Sequence, residues 1–428
     1  MDETARTSVY ALDRPTAITY PALAGPCISD IAIIGGGFTG LSAALHAAEA
    51  GASVTVLEAH QPGWGASGRN GGQLNPGLKY DPSWFINKLG EKRGKMLVDL
   101  AWSSVDRLAN IIERTGIDCA LRRQGTIRAA VKRDDIAAVE ATQRDMRAFG
   151  MPVDWLDRSA LAKLVGHDHY QGGFLDHRGG DLDPLRLALG LAKAAENAGT
   201  AIHGNSRVVS LRHDGHNWVL TTNAGATLKA KRVLVCCNGY ADNLIPGLRQ
   251  SLVPVFSSVL ASNPLPDNLV GRIMPGRQSL YESGMVVVYY RVDSNNRLII
   301  GGRGPMRPTT SPDALKPIAR HAQSLWPELK QVGWQTAWNG RVAVTKDYLP
   351  HFHALDDGLY TLYGYNGRGV ALSTALGEPL AKLLVGEINA DEIPIPASTM
   401  QPIALHAFWP FGVHATIAMS RLKQSFRR

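Results

Sequence analysis

Three consecutive glycines cut off a short apolar run near the start of the chain, and no other feature constrains the fold as tightly. Residues 31–34 are apolar, Gly35-Gly36-Gly37-Phe38-Thr39-Gly40 follows, and Leu41, Leu45 and Ala48 then recur at helical spacing. An apolar run stopped by glycine predicts a buried parallel strand and a tight turn. Gly51 closes the helix as a C-terminal glycine does, and residues 54–57 form a second β-branched run. Together they predict a βαβ unit with a right-handed crossover.

The six residues 35–40 read GxGxxG, a pattern that is weak alone and gains weight from the strand before it and the helix after it. Gly35 permits the turn, Gly37 lets backbone approach a pyrophosphate, and Gly40 lets the helix pack close to the strand. The helix N-terminus, at Phe38 and Thr39, offers N–H groups to the phosphates. Glu58 ends the second strand, 18 residues beyond Gly40. A carboxylate there accepts ribose hydroxyls and repels a 2′-phosphate, which argues against NADP. The chain is therefore expected to hold a dinucleotide.

Residues 63–73 point to FAD rather than NAD. The run Gly63-Trp64-Gly65-Ala66-Ser67-Gly68-Arg69-Asn70-Gly71-Gly72-Gln73 is too glycine-rich for a helix or strand. Bare backbone of this kind can lie along a long, rigid flavin, and Ser67 and Arg69 can reach phosphate or ribityl oxygens. A second cluster, Gly364-Tyr365-Asn366-Gly367-Arg368-Gly369-Val370, opens a helical pattern near 370–385 and aims N–H groups at developing negative charge.

With the fingerprint, the GWGASGRNGGQ loop and GYNGRGV in hand, the chain resembles the D-amino-acid-oxidase-like flavoproteins, and within them the gamma-glutamylputrescine oxidoreductase group. The likeness covers nearly the whole chain, including Arg341-Val342-Ala343-Val344-Thr345 and the tail 408–428. It implies an α/β fold, α+β overall, in which a Rossmann-type FAD-binding domain is interleaved with an antiparallel-sheet substrate domain. The corresponding boundaries are an extension at 1–29, an FAD-binding domain from 30–83, 150–241 and 326–390, a substrate domain from 84–149 and 242–325, and a tail at 391–428. It also implies that Val208 backs the adenine and that Asn238 and Gly239 lie near the cofactor. Some relatives attach flavin through Cys or His. Here 63–73 holds neither and no Cys lies beyond Cys237, so non-covalent FAD is expected.

The implied chemistry is oxidation of a C–N bond in a small amine or amino-acid derivative, gamma-glutamylputrescine-like, with O2 as acceptor. FAD carries the hard chemistry and the protein supplies orientation and electrostatics. An FAD-dependent 2-hydroxyacid or other dehydrogenase with a different acceptor, and a non-enzymatic dinucleotide-binding module, are the competing readings. Tyr281, Tyr290, Trp338 and Arg341 are the candidate substrate contacts. Tyr289 and Tyr290 must face opposite sides of a strand, and Tyr290 is taken as the inward one. His351 and His353 alternate in a strand-like stretch, but no catalytic base is assigned.

Elsewhere, 1–29 lacks periodicity and is expected to wrap over the surface. Helices are expected at 84–114, 134–149 and 183–199, with strands at 125–131, 208–211, 218–222, 232–237, 286–290, 298–301, 334–344 and 359–362. A formal charge of +8 without a basic run interleaved with aromatics argues against nucleic acid. Cys27, Cys119, Cys236 and Cys237 give no disulfide framework and no metal spacing. With no signal-like start and no long apolar span, a cytoplasmic location is expected. The tail pairs Trp409, Phe411, Ile417 and Met419 with Arg421, Lys423, Arg427 and Arg428, which suits packing on protein more than a membrane contact.

Overall fold

The computed structural model describes residues 8–14, 18–284 and 287–413. Two eight-stranded sheets organise them, with the α/β and α+β character expected. In the first sheet Cys27–Ile34 is central, pairing in parallel with Val54–Leu57 on one side and Thr227–Val235 on the other. Ala201–His203 and Leu359–Tyr363 extend the parallel row at either end. His351–Asp356 adds an antiparallel edge, and Val208–His213 with Trp218–Thr222 forms a hairpin against Thr227–Val235.

The helix Phe38–Glu49 returns over this sheet and buries Leu41 and Leu45, as their spacing requires. Pro184–Asn197, capped by Asp183, and Gly377–Val385 pack beside it. The approach of the latter is close. Ser42 Oγ donates to the carbonyl of Thr374 at 2.7 Å, and a Cβ at Gly377 would fall on the Ser42 side chain. The helix expected over 370–385 is two, Gly369–Ala375 and Gly377–Val385, joined at Leu376.

The second sheet runs Trp334–Val344, Val253–Ser262, Leu298–Arg303, Tyr289–Val292, Ser279–Glu282, Thr126–Ala130, Gly172–Asp176, Val153–Asp157. All neighbours are antiparallel except Ser279–Glu282 and Thr126–Ala130, which run parallel. The strands 153–157, 172–176 and 334–344, on the FAD-binding side of the boundaries at 150 and 326, pair within this sheet. Hydrophobic alternation tells which face of a strand is buried, not which strand lies beside it. The strand expected at 286–290 is Tyr289–Val292, and 285–286 lie outside the described residues.

The N-terminal segment does not simply wrap the surface. Val9–Leu12 forms one helical turn that buries Val9 and Tyr10. The Tyr10 ring meets Trp338 edge-on, 5.4 Å between centroids, and its hydroxyl accepts from Arg291 Nη2 at 3.2 Å. Arg291 is fully buried and pairs with Asp181 at 2.8 Å, and Arg122 pairs with the same carboxylate oxygen at 2.6 Å. The first strand also begins at Cys27 rather than near 30.

Candidate active site

The glycine turn sits where the first strand meets its helix. Gly35 has φ +111°, a conformation only glycine adopts freely, and a Cβ there would lie 3.0 Å from the carbonyl oxygen of Cys236. Gly36 N–H donates to Glu58 Oε2 at 2.7 Å, while His60 N–H donates to Oε1 at 2.9 Å. Burial pushes the Glu58 carboxyl up, against backbone N–H bonds that pull it down. Gly37 is the helix N-cap, and a Cβ on it would stand 2.9 Å from Ser67 Oγ. Gly40 faces the strand: a Cβ would collide with the carbonyl of Gly35. Thr39 Oγ1 and Tyr365 OH, 2.6 Å apart, tie this helix to the second glycine cluster.

The polar side chains of the loop 63–73 tie it partly to itself and partly to its neighbours. Ser67 Oγ accepts from Phe38 N–H at 3.0 Å. Arg69 is buried, lies over the Trp64 ring, and donates from Nε to the Trp64 carbonyl at 2.7 Å. Asn70 Nδ2 bonds the carbonyls of Ala66 and Ser67, and Gln73 Nε2 reaches those of Leu280 and Tyr290 on the second sheet. Ser67 and Arg69 also line the cavity, so these bonds fix their side chains at its wall.

One cavity of about 1260 Å³ runs between these elements. Gly35, Gly37, Phe38, Thr39, Glu58, Ala66, Ser67, Arg69, Asn70, Gly71, Gln73, Val208, Asn238, Gly239, Gly367, Arg368, Gly369 and Val370 all line it. Gly40, Gly68 and Gly72 do not. They serve close packing instead, for Cβ atoms at 68 and 72 would strike the carbonyls of Gly63 and Leu182.

On the far wall Tyr281 and Arg341 line the cavity, but Tyr290 and Trp338 do not. The inward tyrosine is Tyr289. Its ring is pinned between Gly71 and Gly301, either of which would clash with it if given a Cβ, and its hydroxyl lies 3.0 Å from Ser257 Oγ. Tyr290 points to the opposite face, where its hydroxyl donates to Tyr170 at 2.8 Å and meets His167 Nε2 at 3.1 Å. Trp338 is covered by Tyr10 and donates from Nε1 to the Arg69 carbonyl at 2.9 Å. Alternation gave the opposition of the two tyrosines. The glycines at 71 and 301 carried the information about which one faces inward.

The profile of the family described as FAD dependent oxidoreductase matches residues 30–383. The chain belongs to that family. The gamma-glutamylputrescine oxidoreductase of Escherichia coli (strain K12) is 32% identical over 384 residues, 89% of this chain and 89% of that protein. The glycine oxidase of Geobacillus kaustophilus is 27% identical over 84% of this chain and 92% of its own length. The crystal structure of glycine oxidase from Geobacillus kaustophilus superposes with a TM-score of 0.74 at 25% identity, covering 87% of this chain and 99% of that one.

The cavity of this FAD-dependent oxidoreductase suits its cofactor. It exceeds the roughly 300–1,000 Å³ common for a drug-sized ligand, leaving room for a dinucleotide with a second molecule beside it. Its first end offers a carboxylate beside a helix N-terminus, its other end a wall of aromatic and cationic side chains. Cys236 and Cys237 line it as thiols, the latter pushed up to about 12 by burial. His351 and His353 lie outside it: His353 is buried against Tyr363 OH at 3.0 Å, and His351 pairs with Asp347 at 3.0 Å. Lys79 and Arg128 are lining residues that the sequence reading passed over, and Tyr289 is one that it turned outward. Among the described residues no helix is long and apolar enough to cross a membrane, and no acidic, His or Cys cluster is placed to hold a metal. Trp409 reaches the cavity, while tail residues 414–428 lie outside the described residues.

Proposed function

We propose that this FAD-dependent oxidoreductase oxidises a C–N bond in a small amine or amino-acid derivative, with gamma-glutamylputrescine-like compounds favoured and O2 as the acceptor. The observation that carries the reading is a single cavity joining the glycine turn and Glu58 to the wall of Tyr281, Tyr289 and Arg341. The likeness to a gamma-glutamylputrescine oxidoreductase and a glycine oxidase supports the substrate class.

When bound, FAD supplies a two-electron acceptor for the hydride leaving the carbon beside nitrogen, the imine so formed takes up water to give a carbonyl compound and an amine, and O2 takes the electrons as H2O2. The chain's own residues do the rest. Glu58 accepts the ribose hydroxyls, and the N–H groups at Gly37 and Thr39 meet the pyrophosphate, beside Phe38, whose own N–H is held by Ser67. Ala66, Asn70, Gly71 and Gln73 line the flavin's length. Asn238, Gly239, Gly367, Gly369 and Val370 bring bare backbone toward the ring, and Val208 backs the adenine. Tyr281 and Tyr289 shield the reacting carbon from water, and Arg341 orients the substrate. The flavin is held without a covalent link, a reading supported by a loop 63–73 that has neither Cys nor His, and acid precipitation should release all of it.

The test is an anaerobic titration of the holoenzyme with gamma-glutamylputrescine, putrescine and simple N-methyl and 2-amino acids, followed by visible absorbance. Bleaching by one of these amines, and return of colour with peroxide on admitting air, is the expected result. Bleaching by 2-hydroxyacids alone, with no amine or ammonia released, would replace it with the dehydrogenase reading.

A further inference from the structure

The strands Thr126–Ala130 and Ser279–Glu282 run parallel with Arg128 in register with Tyr281, and both side chains line the cavity. Arg368 reaches the same place from the second glycine cluster. Its Nη2 donates to Tyr281 OH at 3.0 Å and its Nη1 to the Pro76 carbonyl at 2.9 Å. Arg128 Nη1 donates to Thr142 Oγ1 at 3.1 Å. Lys79, exposed to the cavity 5.9 Å from the Tyr348 ring, completes the group. Burial first, then the charges of Arg368 and Arg128, hold its ammonium below the usual lysine range.

Three cations therefore converge on one stretch of wall with neutral partners only. Among the described residues none of the three forms an ion pair with a carboxylate. The contrast with Arg122 and Arg291 is informative. Those arginines have a structural task, and both are matched to Asp181. Like charges this close repel in surroundings less polarisable than water, so an anion entering the group relieves a cost already present. The pyrophosphate does not meet this need, because its cradle belongs to the turn of the first sheet, whereas Arg128 and Tyr281 belong to the second.

We propose that Lys79, Arg128 and Arg368 form a subsite for a carboxylate of the substrate, set apart from the carbon that is oxidised. The amine that this enzyme takes is then a carboxylate-bearing one, and a bare diamine or polyamine is a poor substrate. Arg guanidinium groups grip a carboxylate through paired N–H donors, and Lys79 adds a point charge. Arg341 is a separate cation, lying over the rings of Tyr240 and Phe256. This inference rests on the amine-oxidation reading only for the word substrate; the subsite itself is tested without turnover.

Equilibrium dialysis of labelled glutarate against the holoenzyme tests the subsite directly. Glutarate should bind and glutaramide should not compete with it, and Lys79→Met and Arg128→Gln should each weaken binding about tenfold while flavin content stays as in the unmodified protein. Among the described residues Lys79 has no hydrogen-bond partner and only the Tyr348 ring nearby, so its replacement leaves the fold intact. Absence of glutarate binding, or binding that neither substitution changes, would overturn the assignment. A second arm compares the mono-amide of glutaric acid and 1,4-diaminobutane with its methyl ester in anaerobic flavin reduction. The acid should half-saturate at a concentration about tenfold lower, and equal values would sink the substrate claim. If neither compound bleaches the flavin while glutarate still binds, the subsite stands and the amine reading falls.

Discussion

The backbone N–H of Gly36 donates to Oε2 of Glu58 at 2.7 Å, so the glycine turn and the end of the next strand form one unit. The carboxylate is thus held by backbone N–H groups of the protein itself, which is preorganisation in the physical sense. Glu58→Ala removes an acceptor for ribose hydroxyls and also frees the turn. Loss of a charged hydrogen-bond acceptor is worth about 1.5–3 kcal/mol, so the Kd for FAD should rise at least tenfold. Flavin content of the purified variant and titration with added FAD measure this. Unchanged occupancy would count against the ribose role.

Gly37→Val makes a sharper demand. A Cβ at Gly37 already stands 2.9 Å from Ser67 Oγ, and the valine methyls extend further toward the cavity. The backbone that should meet the pyrophosphate is then covered. The variant should purify without colour and take up no flavin, and a yellow, active protein would refute this placement of the phosphates.

Legibility follows the range of the interactions involved. The βαβ unit was readable because its signals are local: glycines at 35, 37 and 40, leucines at 41 and 45, an acid at 58. The burial of Tyr10 was not, since a helix of four residues is too short to show a period. Trp338 looked like a pocket residue because its strand lies beside the cavity, but a turn at the opposite end of the chain covers it. The convergence of Lys79, Arg128 and Arg368 depends on three segments that no spacing rule connects. Composition named the charges, and only the fold brought them together.

The paired tyrosines make a direct test of strand facing. Tyr289→Phe loses its Ser257 partner and alters the cavity wall, so flavin reduction by substrate should change in rate or half-saturation. Tyr290→Phe breaks the link to Tyr170 on the other face, and should cost about 1 kcal/mol of stability while leaving reduction kinetics alone. Stopped-flow reduction and urea unfolding on the same two proteins separate the effects. A kinetic phenotype confined to Tyr290→Phe would reverse the facing.

His167 gives the fold a dependence on acid. Its Nε2 meets Tyr290 OH at 3.1 Å, its ring lies 4.8 Å from that of Trp326, and burial, with His169 next, lowers its pKa from 6.5 to about 4. His321 pushes the same way and Asp168 opposes it. A depressed folded-state pKa means that the unfolded chain binds the proton first as pH falls. The stability contributed by the neutral ring is therefore complete above about 6.5 and lost progressively down to about 4. At about 1.4 kcal/mol per unit the shift sets a ceiling of roughly 3 kcal/mol, and partial solvent access brings it lower. His167→Gln keeps a hydrogen-bonding side chain and removes the titration. Its unfolding free energy should fall less than that of the unmodified protein between pH 6.5 and 4, with His46, His169 and His353, also depressed by burial, among the groups that keep a slope in both proteins. Urea unfolding at pH 7, 5.5 and 4.5 reads the difference, and parallel pH profiles for the two proteins would remove His167 from the account.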